Sequence, residues 1–324
     1  MAYIVFDDDR IDIEPGQTVL SALLDQGHYI PHSCRSGICQ TCLMQATDGE
    51  VPAAAQAGLK NTLVSQGYFL ACCCKPETPL HVITAPDKNI RHAVNVISHD
   101  LLNAHVLRLR LERPDNFDYH PGQFLTVWKE DTVGRSYSLA SVPGIDNYLE
   151  LHIRRMPNGK VSNWLHDDID VDDVLHVQAA TGNCFYTPDA PEQKMILAGT
   201  GTGLSPIIGI VRDALQQQHR GEIHLVHGAM KTDDLYLHQT LQDLDQRHNQ
   251  FFYHTNVLHA DEDHPLYDAM SLDQKLLHIG EDLTDCRIFL CGDPNLVNSL
   301  KKTMFMAGAS MKNIYADPFI AAYD

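Results

Sequence analysis

The chain has 324 residues, of which 44% are hydrophobic, and it carries a formal net charge of −18 at neutral pH. This length predicts two or three domains that each bury a core, and the acidic balance disfavours nucleic acid and anionic membranes as partners. No apolar run reaches the roughly 18 residues of a membrane span, and the N-terminus lacks the basic start of a signal peptide. A cytoplasmic protein is therefore expected, whose charge either serves solubility alone or steers a basic protein partner.

Residues 1–90 are predicted to form short strands and one helix around a cysteine-rich loop. Strands are expected at Tyr3–Phe6 and Arg10–Ile13, and apolar residues at helical spacing predict a helix over Thr18–Gln26. The chain has nine cysteines, an odd number that makes a poor disulfide framework, and their clustering indicates a metal or cluster site. The polar segment 86–91 marks the end of this domain.

The cysteine spacing is the strongest signal in the chain. Cys34, Cys39 and Cys42 follow the pattern C-x4-C-x2-C, and a run of three cysteines at 72–74 comes 30 positions later. This is the spacing of plant-type [2Fe–2S] ligation, in which four thiolates converge on two irons. Gly37 lets the backbone approach the bridging sulfides, so that amide groups can stabilise their charge. Spacing leaves open which later cysteine is the fourth ligand, and a structural zinc site is the alternative, although zinc usually takes a second ligand pair.

Residues 91–190 show β-branched runs between turn signals. Six short strands are predicted, at 93–97, 105–111, 124–128, 136–140, 148–153 and 174–179. Short strands with little helix between them favour an antiparallel barrel. The proline-marked segment 187–191 closes this domain.

Residues 191–324 change in character, because strands there alternate with helices. Strands are expected at 194–198, 223–227, 251–256 and 287–291, and helices at 205–218, 234–247 and 294–307. This alternation predicts a doubly wound parallel sheet. The first strand leads into a glycine-rich turn, Gly199, Thr200, Gly201, Thr202 and Gly203, with Pro206 shortly after. Such glycines let the backbone approach a pyrophosphate at a helix start, although the spacing is not that of G-x-G-x-x-G.

Several of these motifs together resemble the ferredoxin–NAD(P)+ reductase superfamily, in particular the iron–sulfur flavoprotein reductases of bacterial oxygenase systems. Residues 1 to about 88 resemble plant-type ferredoxins, whose last ligand follows a Leu-Ala-like pair, which implies Cys72. The residues Arg135, Ser136, Tyr137 and Ser138 match the flavin motif Arg-x-Tyr-Ser. The family implies that Arg135 holds a flavin phosphate, that Tyr137 packs on the isoalloxazine ring, and that Ser138 lies near its N5 atom.

Further segments carry the same resemblance. It implies that His152, Ile153 and Arg154 line the flavin ring and ribityl chain, and that Gly159, Lys160, Val161 and Ser162 open a helix whose amides bind the pyrophosphate. The turn at 201–206 is similar to the family's Gly-Thr-Gly-x-x-Pro turn. Cys291, Gly292, Asp293 and Pro294 resemble the turn beside the nicotinamide, where Cys291 would pack against the carbon that gives hydride. Phe319 is either an aromatic residue against the flavin or a simple core residue.

The implied architecture combines α+β and α/β domains. A β-grasp ferredoxin domain is expected over 1–90, a six-stranded FAD-binding barrel over 91–190, and an NAD-binding domain over 191–324. FAD is expected rather than FMN, because FMN-using relatives place the ferredoxin domain last. Asp233 and Asp234 follow the second strand of the third domain and favour NADH, since carboxylates repel the 2′-phosphate of NADPH.

The implied activity is electron transfer. Electrons would pass from NADH to FAD and then through the [2Fe–2S] cluster to a partner protein, the oxygenase component of a Rieske dioxygenase or di-iron monooxygenase. Ser138 and Cys291 are the expected catalytic residues. Two alternatives stay open at this point: a reductase for a small acceptor such as free flavin, ferric ion or a deoxysugar intermediate, and a redox-sensing module that does not turn over.

Overall fold

The computed structural model describes residues 2–28, 30, 35, 37, 42–84, 91–115, 117–130, 133–259, 264 and 270–319. The chain divides into two compact units, Met1–Lys88 and Asn89–Asp324, each with its own buried core. Within the described residues, no helix is both long and apolar enough to cross a membrane. The domain boundaries near residues 90 and 190 stay predictions.

The first unit is a five-stranded sheet with one main helix against it. Its strands are β1 (Tyr3–Phe6), β2 (Asp9–Asp12), β3 (Leu43–Asp48), β4 (Tyr68–Leu70) and β5 (Leu80–Ile83), in the spatial order β2-β1-β5-β3-β4. Its helices are α1 (Val19–Asp25), α2 (Ala53–Gln56) and α3 (Asn61–Ser65). Helix α1 begins where the Thr18 hydroxyl accepts a hydrogen bond from the amide of Ser21, and its apolar side buries Leu20 and Leu23. The predicted helix and the first two strands are therefore present, with ends within one or two residues.

The second unit begins with six antiparallel strands. They are β6 (Arg91–Leu101), β7 (Val106–Glu112), β8 (Phe124–Glu130), β9 (Val133–Ser138), β10 (Tyr148–Arg154) and β11 (Val174–Gln178), in the order β10-β7-β6-β11-β8-β9. A bridge between Leu139 and Leu151 joins the two edge strands and closes the sheet into a barrel. Alternate residues of β7, such as Leu107 and Leu109, are fully buried inside it. Helix α4 (Lys160–Asp167) covers one end of the barrel core with Val161 and Leu165.

The rest of the second unit is a parallel five-stranded sheet between two layers of helices. Its strands are β12 (Met195–Thr200), β13 (Ile223–Ala229), β14 (Phe251–Val257), β15 (Arg287–Gly292) and β16 (Ile314–Pro318), in the order β14-β13-β12-β15-β16. The helices are α5 (Leu204–Gln216), α6 (His238–Arg247), α7 (Leu272–Gly280) and α8 (Pro294–Met306), with short 3-10 turns at Gly201–Gly203, Thr232–Asp234 and Met311–Asn313. Helices α5 and α6 share one core, and α7 and α8 share another on the opposite face. This is the predicted doubly wound sheet.

Three details of this sheet differ from the expectation. Helix α6 begins at His238 rather than Asp234, because Leu237 before it has a left-handed φ of 57° and interrupts the helix. Helix α7 and strand β16 were not predicted. Strand β16 is short and ends in a proline, and only its parallel pairing with β15 identifies it as a strand.

Candidate functional site

The pairing of β3 with β4 brings two predicted cluster ligands together. Leu43 lies opposite Leu70, and the amide of Ala71 donates to the carbonyl of Cys42 at 3.0 Å. The thiols of Cys42 and Cys72 are therefore neighbours, and burial together with that neighbour raises the pKa of Cys42 to about 11. Sulfur is the donor that an iron–sulfur cluster takes, so these two side chains fit the implied group.

Cys34 and Cys39, the other two predicted ligands, lie outside the described residues. Among the residues that are described, no group of three His, Cys, Asp or Glu side chains is placed to hold a metal ion. Gly37 has a φ of 80°, and a Cβ there would lie 2.9 Å from the sulfur of Cys73. A glycine is thus required where the loop passes the cysteine run.

The three successive cysteines have different surroundings. The sulfur of Cys73 lies 3.7 Å from that of Cys72. Cys74 is fully buried, its carbonyl accepts from the amide of Val19 at the start of α1, and burial raises its pKa to about 12. Cys74 therefore belongs to the core of the unit, whereas Cys72 faces Cys42.

The flavin motif occupies the end of β9 in the barrel. Arg135 and Tyr137 share one side of the strand, and Ser136 and Ser138 share the other. Tyr137 packs against the barrel core, and burial raises its pKa. Ser136 is exposed, and its hydroxyl lies 3.3 Å from that of Thr126 on β8. Ser138 is 6% exposed and points toward the nucleotide-binding sheet.

The second flavin segment has residues with three different orientations. Ile153 is fully buried in the barrel core, so only its backbone is available to a ligand. Arg154 is exposed at the end of β10, with its Nη1 atom 3.8 Å from the position of a Cβ on Gly201. Both ring nitrogens of His152 are engaged, Nδ1 with Tyr236 and Nε2 with Glu150. The imidazole therefore has no free nitrogen for a flavin.

The predicted pyrophosphate turn leads into α4. Gly159 precedes the first helical residue, Lys160, which is exposed. A Cβ on Gly159 would lie 2.3 Å from the hydroxyl of Ser162, so the turn has room only for glycine. Val161 enters the barrel core and fixes the helix there. The first amides of the helix have no partner within it, which suits them to an anion.

The glycine-rich turn and the Cys291 turn meet in backbone contact. A Cβ on Gly203 would lie 2.2 Å from the carbonyl oxygen of Cys291, and one on Gly292 would lie 2.3 Å from the Thr200 hydroxyl. Gly199 is confined less tightly, since its Cβ would lie 3.0 Å from the carbonyl oxygen of Gly203. The two turns form a narrow cradle at the carboxyl edge of the sheet, where ligands of such folds bind. The sequence predicts the dinucleotide at this cradle.

The remaining predicted residues of these turns serve the start of two helices. Thr202 lies in the 3-10 turn between β12 and α5, and Pro206 is buried in the first turn of α5. The Asp293 carboxylate accepts from the amides of Asn295 and Leu296 at 3.0 Å and caps α8, with Pro294 as the first helical residue.

Ser138 and Cys291 share a neighbour that the sequence did not single out. The hydroxyl of Ser138 donates to Oδ2 of Asp317 at 3.5 Å, and Asp317 lies beside Cys291 through the pairing of β16 with β15. Burial raises the pKa of Asp317 to about 6. Cys291 is 1% exposed, and its sulfur lies 3.8 Å from that of Cys184. The structure thus brings a hydroxyl, a carboxyl group and a thiol to the junction of barrel and sheet.

Phe319 follows directly after this strand. Its amide donates to the carbonyl of Gly292 at 2.8 Å, and its side chain is half-buried. At the same junction, the Ser205 hydroxyl on α5 donates to the carbonyl of Ser138 at 2.9 Å. The helix that follows the glycine-rich turn is therefore bonded directly to the flavin strand.

Comparisons with known proteins agree with this arrangement. Residues 5–77 match the model of the 2Fe-2S iron–sulfur cluster binding domain, residues 92–186 that of the oxidoreductase FAD-binding domain, and residues 196–302 that of the oxidoreductase NAD-binding domain. The chain is 30% identical over 320 residues to the ferredoxin–NAD(P)+ reductase component of the naphthalene 1,2-dioxygenase system of Pseudomonas putida, with 95% of each chain covered. It is 31% identical over 329 residues to the reductase subunit of an aromatic O-demethylase of Amycolatopsis sp., with 97% of each covered.

This chain belongs to the ferredoxin–NAD(P)+ reductase superfamily. It is an oxidoreductase with domains for a [2Fe–2S] cluster, FAD and NAD, as the sequence predicted. The crystal structure of the Amycolatopsis cytochrome P-450 reductase GcoB has the same fold, with a TM-score of 0.67, 27% identity, and 98% of this chain and 99% of that chain covered. The predicted multidomain fold is confirmed.

Within this reductase, the contacts that sequence reasoning missed all link the barrel to the sheet. They include Asp317 with Ser138, Ser205 with Ser138, and Tyr236 with His152. Arg212 on α5 adds a bidentate ion pair, in which Nη1 and Nη2 each lie 2.9 Å from an oxygen of Asp146 in the barrel. Each pair is separated by more than 60 residues along the chain, so no local pattern signals it.

Proposed function

We propose that this chain is the reductase component of an oxygenase system, which oxidises NADH and delivers electrons one at a time to a partner protein. When bound, FAD supplies the exchange between hydride and single electrons, and the [2Fe–2S] cluster carries single electrons onward. The observation that supports this most directly is the junction at which the cradle, with its Cys291, meets Asp317 and Ser138.

The residues at this junction would orient the reactants and hold a proton. The hydrogen bond from Ser205 to the Ser138 carbonyl fixes the glycine-rich turn relative to the flavin strand. Ser138 is proposed to hydrogen-bond to the edge of the flavin. Asp317 is proposed to exchange a proton with the Ser138 hydroxyl, because a carboxyl group with a pKa of about 6 changes protonation near neutral pH. Cys291 is proposed to pack against the nicotinamide. No acid–base pair for hydrolysis is needed.

The roles proposed for the cofactor ligands keep the assignments made from the sequence. Arg135 and the start of α4 are proposed to hold the flavin phosphates, Tyr137 to pack on the flavin ring, and Phe319 to lie against the flavin. Cys34, Cys39, Cys42 and Cys72 are proposed as the cluster ligands. The position of Cys42 beside Cys72 supports the last pair.

NADH is the proposed electron donor. Asp233 is exposed and Asp234 half-exposed on the turn after β13, at the edge of the sheet that faces the cradle. Carboxylates there repel a 2′-phosphate and can bond ribose hydroxyls. Lys231 is the basic residue in this turn, and one lysine gives too little positive charge to hold a 2′-phosphate.

The proposed acceptor is the oxygenase component of such a system. The relatives above carry names of dioxygenase and demethylase reductases, and the structural relative is named as the reductase of a cytochrome. The classes of partner to test are therefore a Rieske dioxygenase, a di-iron monooxygenase and a haem enzyme. A cytoplasmic location stays a prediction.

A visible spectrum during titration with NADH tests the proposal. Flavin and [2Fe–2S] bands are expected, and both should bleach with about one equivalent of NADH per two electrons accepted. NADPH is expected to require at least about tenfold higher concentration. Continued NADH oxidation with cytochrome c as acceptor would eliminate the sensing module. A protein without either band, or one whose bands ignore NADH, would refute the proposed function.

A further inference from the structure

A buried chain of hydrogen bonds crosses from the flavin barrel to the nucleotide-binding sheet. On the barrel, Nε of Arg110 donates to Oε2 of Glu150 at 2.7 Å, and Nε2 of His152 lies 3.1 Å from Oε1 of Glu150. Across the junction, Nδ1 of His152 lies 3.3 Å from the Tyr236 hydroxyl, and the rings meet edge-on with centroids 5.4 Å apart. The His152 side chain is fully buried and Tyr236 is 2% exposed.

The ionised Glu150 carboxylate fixes the direction of the bonds that it makes. Burial by itself would raise the pKa of Glu150, but hydrogen bonds from His152 and Arg110 lower it to about 2, so the ionised carboxylate only accepts. His152 must then donate from Nε2, and its Nδ1 pairs with the Tyr236 hydroxyl, a group that can donate or accept. Burial raises the pKa of Tyr236, so the phenol keeps its proton. Loss of that hydroxyl would leave a buried nitrogen of His152 without a partner.

Tyr236 belongs to the segment 230–237, which follows β13 at the carboxyl edge of the parallel sheet. This is the segment whose Asp233 and Asp234 are proposed to face the ribose of NADH. A second bond ties it to the barrel, because Nδ2 of Asn103 donates to the carbonyl of Asp233 at 3.4 Å. The segment is therefore held from the flavin side at two points.

We propose that His152 and Tyr236 are positioning residues, whose hydrogen bond fixes the nucleotide-binding segment 230–237 to the flavin barrel. The bond sets where the ribose of NADH lies relative to the flavin, and neither side chain needs to touch the reacting atoms. This inference rests on the proposed function, because it takes NADH as the ligand of the segment. It gives the His152 imidazole a task other than bonding the flavin, in keeping with its two occupied nitrogens.

The test compares Tyr236→Phe with Tyr253→Phe in the full chain loaded with FAD and cluster. Tyr253 is a matched control, because its hydroxyl bonds to β13 and α6 and not to the barrel, at 3.2 Å from Nδ1 of His227 and 3.0 Å from Nδ1 of His238. Hydrogen exchange without nucleotide reports on the anchoring of 230–237. Steady-state kinetics with NADH reports on its consequence.

Tyr236→Phe is expected to lower exchange protection across 230–237 and to raise KM for NADH, each about five- to tenfold, with flavin and cluster absorbance unchanged. Tyr253→Phe should change both by less than about twofold. Asn103→Asp is a second variant, at a less buried position. It keeps the acceptor oxygen that bonds the amides of His105 and Val106 but removes the donor to the carbonyl of Asp233. It should act in the same direction.

Unchanged protection in both Tyr236→Phe and Asn103→Asp would overturn the inference, and so would lost protection with an unchanged KM. The two hypotheses fail separately. A wild-type protein that NADH does not reduce refutes the proposed function, while the exchange measurement still decides whether the bond anchors the segment.

Discussion

Cys72 and Cys74 are two residues apart, yet their side chains have different surroundings. Cys72 lies beside Cys42, whereas Cys74 is fully buried and its carbonyl accepts from the amide of Val19. We expect Cys72→Ser to abolish the [2Fe–2S] absorbance and lower bound iron by about half or more, because a hydroxyl replaces a thiolate ligand. Cys74→Ser should keep the iron and lose about 1–3 kcal/mol of stability, because it buries a new hydroxyl.

Iron analysis and the visible spectrum of the two variants check this assignment. A cluster that survives Cys72→Ser but not Cys74→Ser would contradict it. Cys73→Ser completes the series, since the Cys73 sulfur lies 3.7 Å from that of Cys72 and could substitute for it.

Asp317 gives the junction a pH dependence whose sign follows from its environment. Burial raises its pKa from 3.8 to about 6, so ionisation costs the folded state free energy. The stability that the group contributes is complete below about pH 4 and is lost as the pH rises through 6. The free energy of unfolding of Asp317→Asn should therefore exceed that of the wild type by about 1–3 kcal/mol at pH 8. Thermal melting at several pH values should show this difference shrinking toward pH 5.

The same substitution should remove an inflection near pH 6 in the rate of flavin reduction by NADH, because the hydroxyl of Ser138 loses its ionisable partner. Asp213→Asn is the control. Burial also raises the pKa of Asp213, which lies on α5 and bonds Gln217 rather than Ser138. It should alter the pH dependence of melting but leave the inflection in place; an inflection that survives Asp317→Asn assigns the proton to another group.

At this scale the sequence was informative where the chemistry is local. The cysteine spacing, Arg-x-Tyr-Ser and the glycine-rich turn each depend on neighbouring residues, and the matching domains confirm the cofactors that they indicated. Asp317 gave no local signal, because its contact with Ser138 spans 179 residues. Tyr236 gave no signal, since an aromatic residue after a strand is ordinary core material.

Among the elements, the barrel was easy to predict and the end of the sheet was not. Alternating β-branched residues between turns predict strands, and all six barrel strands are present. Helix α7 has Leu272 and Leu276 buried on one side, but it is only nine residues long and follows a polar stretch. Strand β16 is defined by its neighbour, because Ile314–Pro318 pairs only with β15. Tertiary pairing decides such short elements.

The connection from barrel to sheet is held by a buried arginine. On β15, Nη1 of Arg287 donates to the carbonyl of Thr187 at 2.6 Å, Nη2 to Asp189 at 3.1 Å, and Nε to Gln193 at 3.1 Å. Arg287 is 2% exposed, so a shorter side chain leaves these groups unpaired. We expect Arg287→Met to lower the free energy of unfolding by about 3–5 kcal/mol, measured by urea denaturation.

Arg220→Met is the matched control, because the pair of Arg220 with Glu192 is exposed on both sides. Exposed pairs contribute little, so this variant should unfold at nearly the wild-type urea concentration. Equal losses in the two variants would show that burial of Arg287 is not what stabilises the connection.

At the scale of the whole molecule, charge is the property most relevant to a protein acceptor. The chain has 42 acidic and 24 basic residues. Long-range attraction raises the association rate of oppositely charged proteins and is screened by salt. The rate constant for reduction of basic cytochrome c should therefore fall at least about fivefold between roughly 10 and 300 mM salt. Ferricyanide, an anion, should react at a rate that rises with salt or stays level, since repulsion is screened instead. If the rate constant for cytochrome c reduction does not change with salt concentration, the negative charge serves solubility alone. Partner recognition would then depend on short-range contacts.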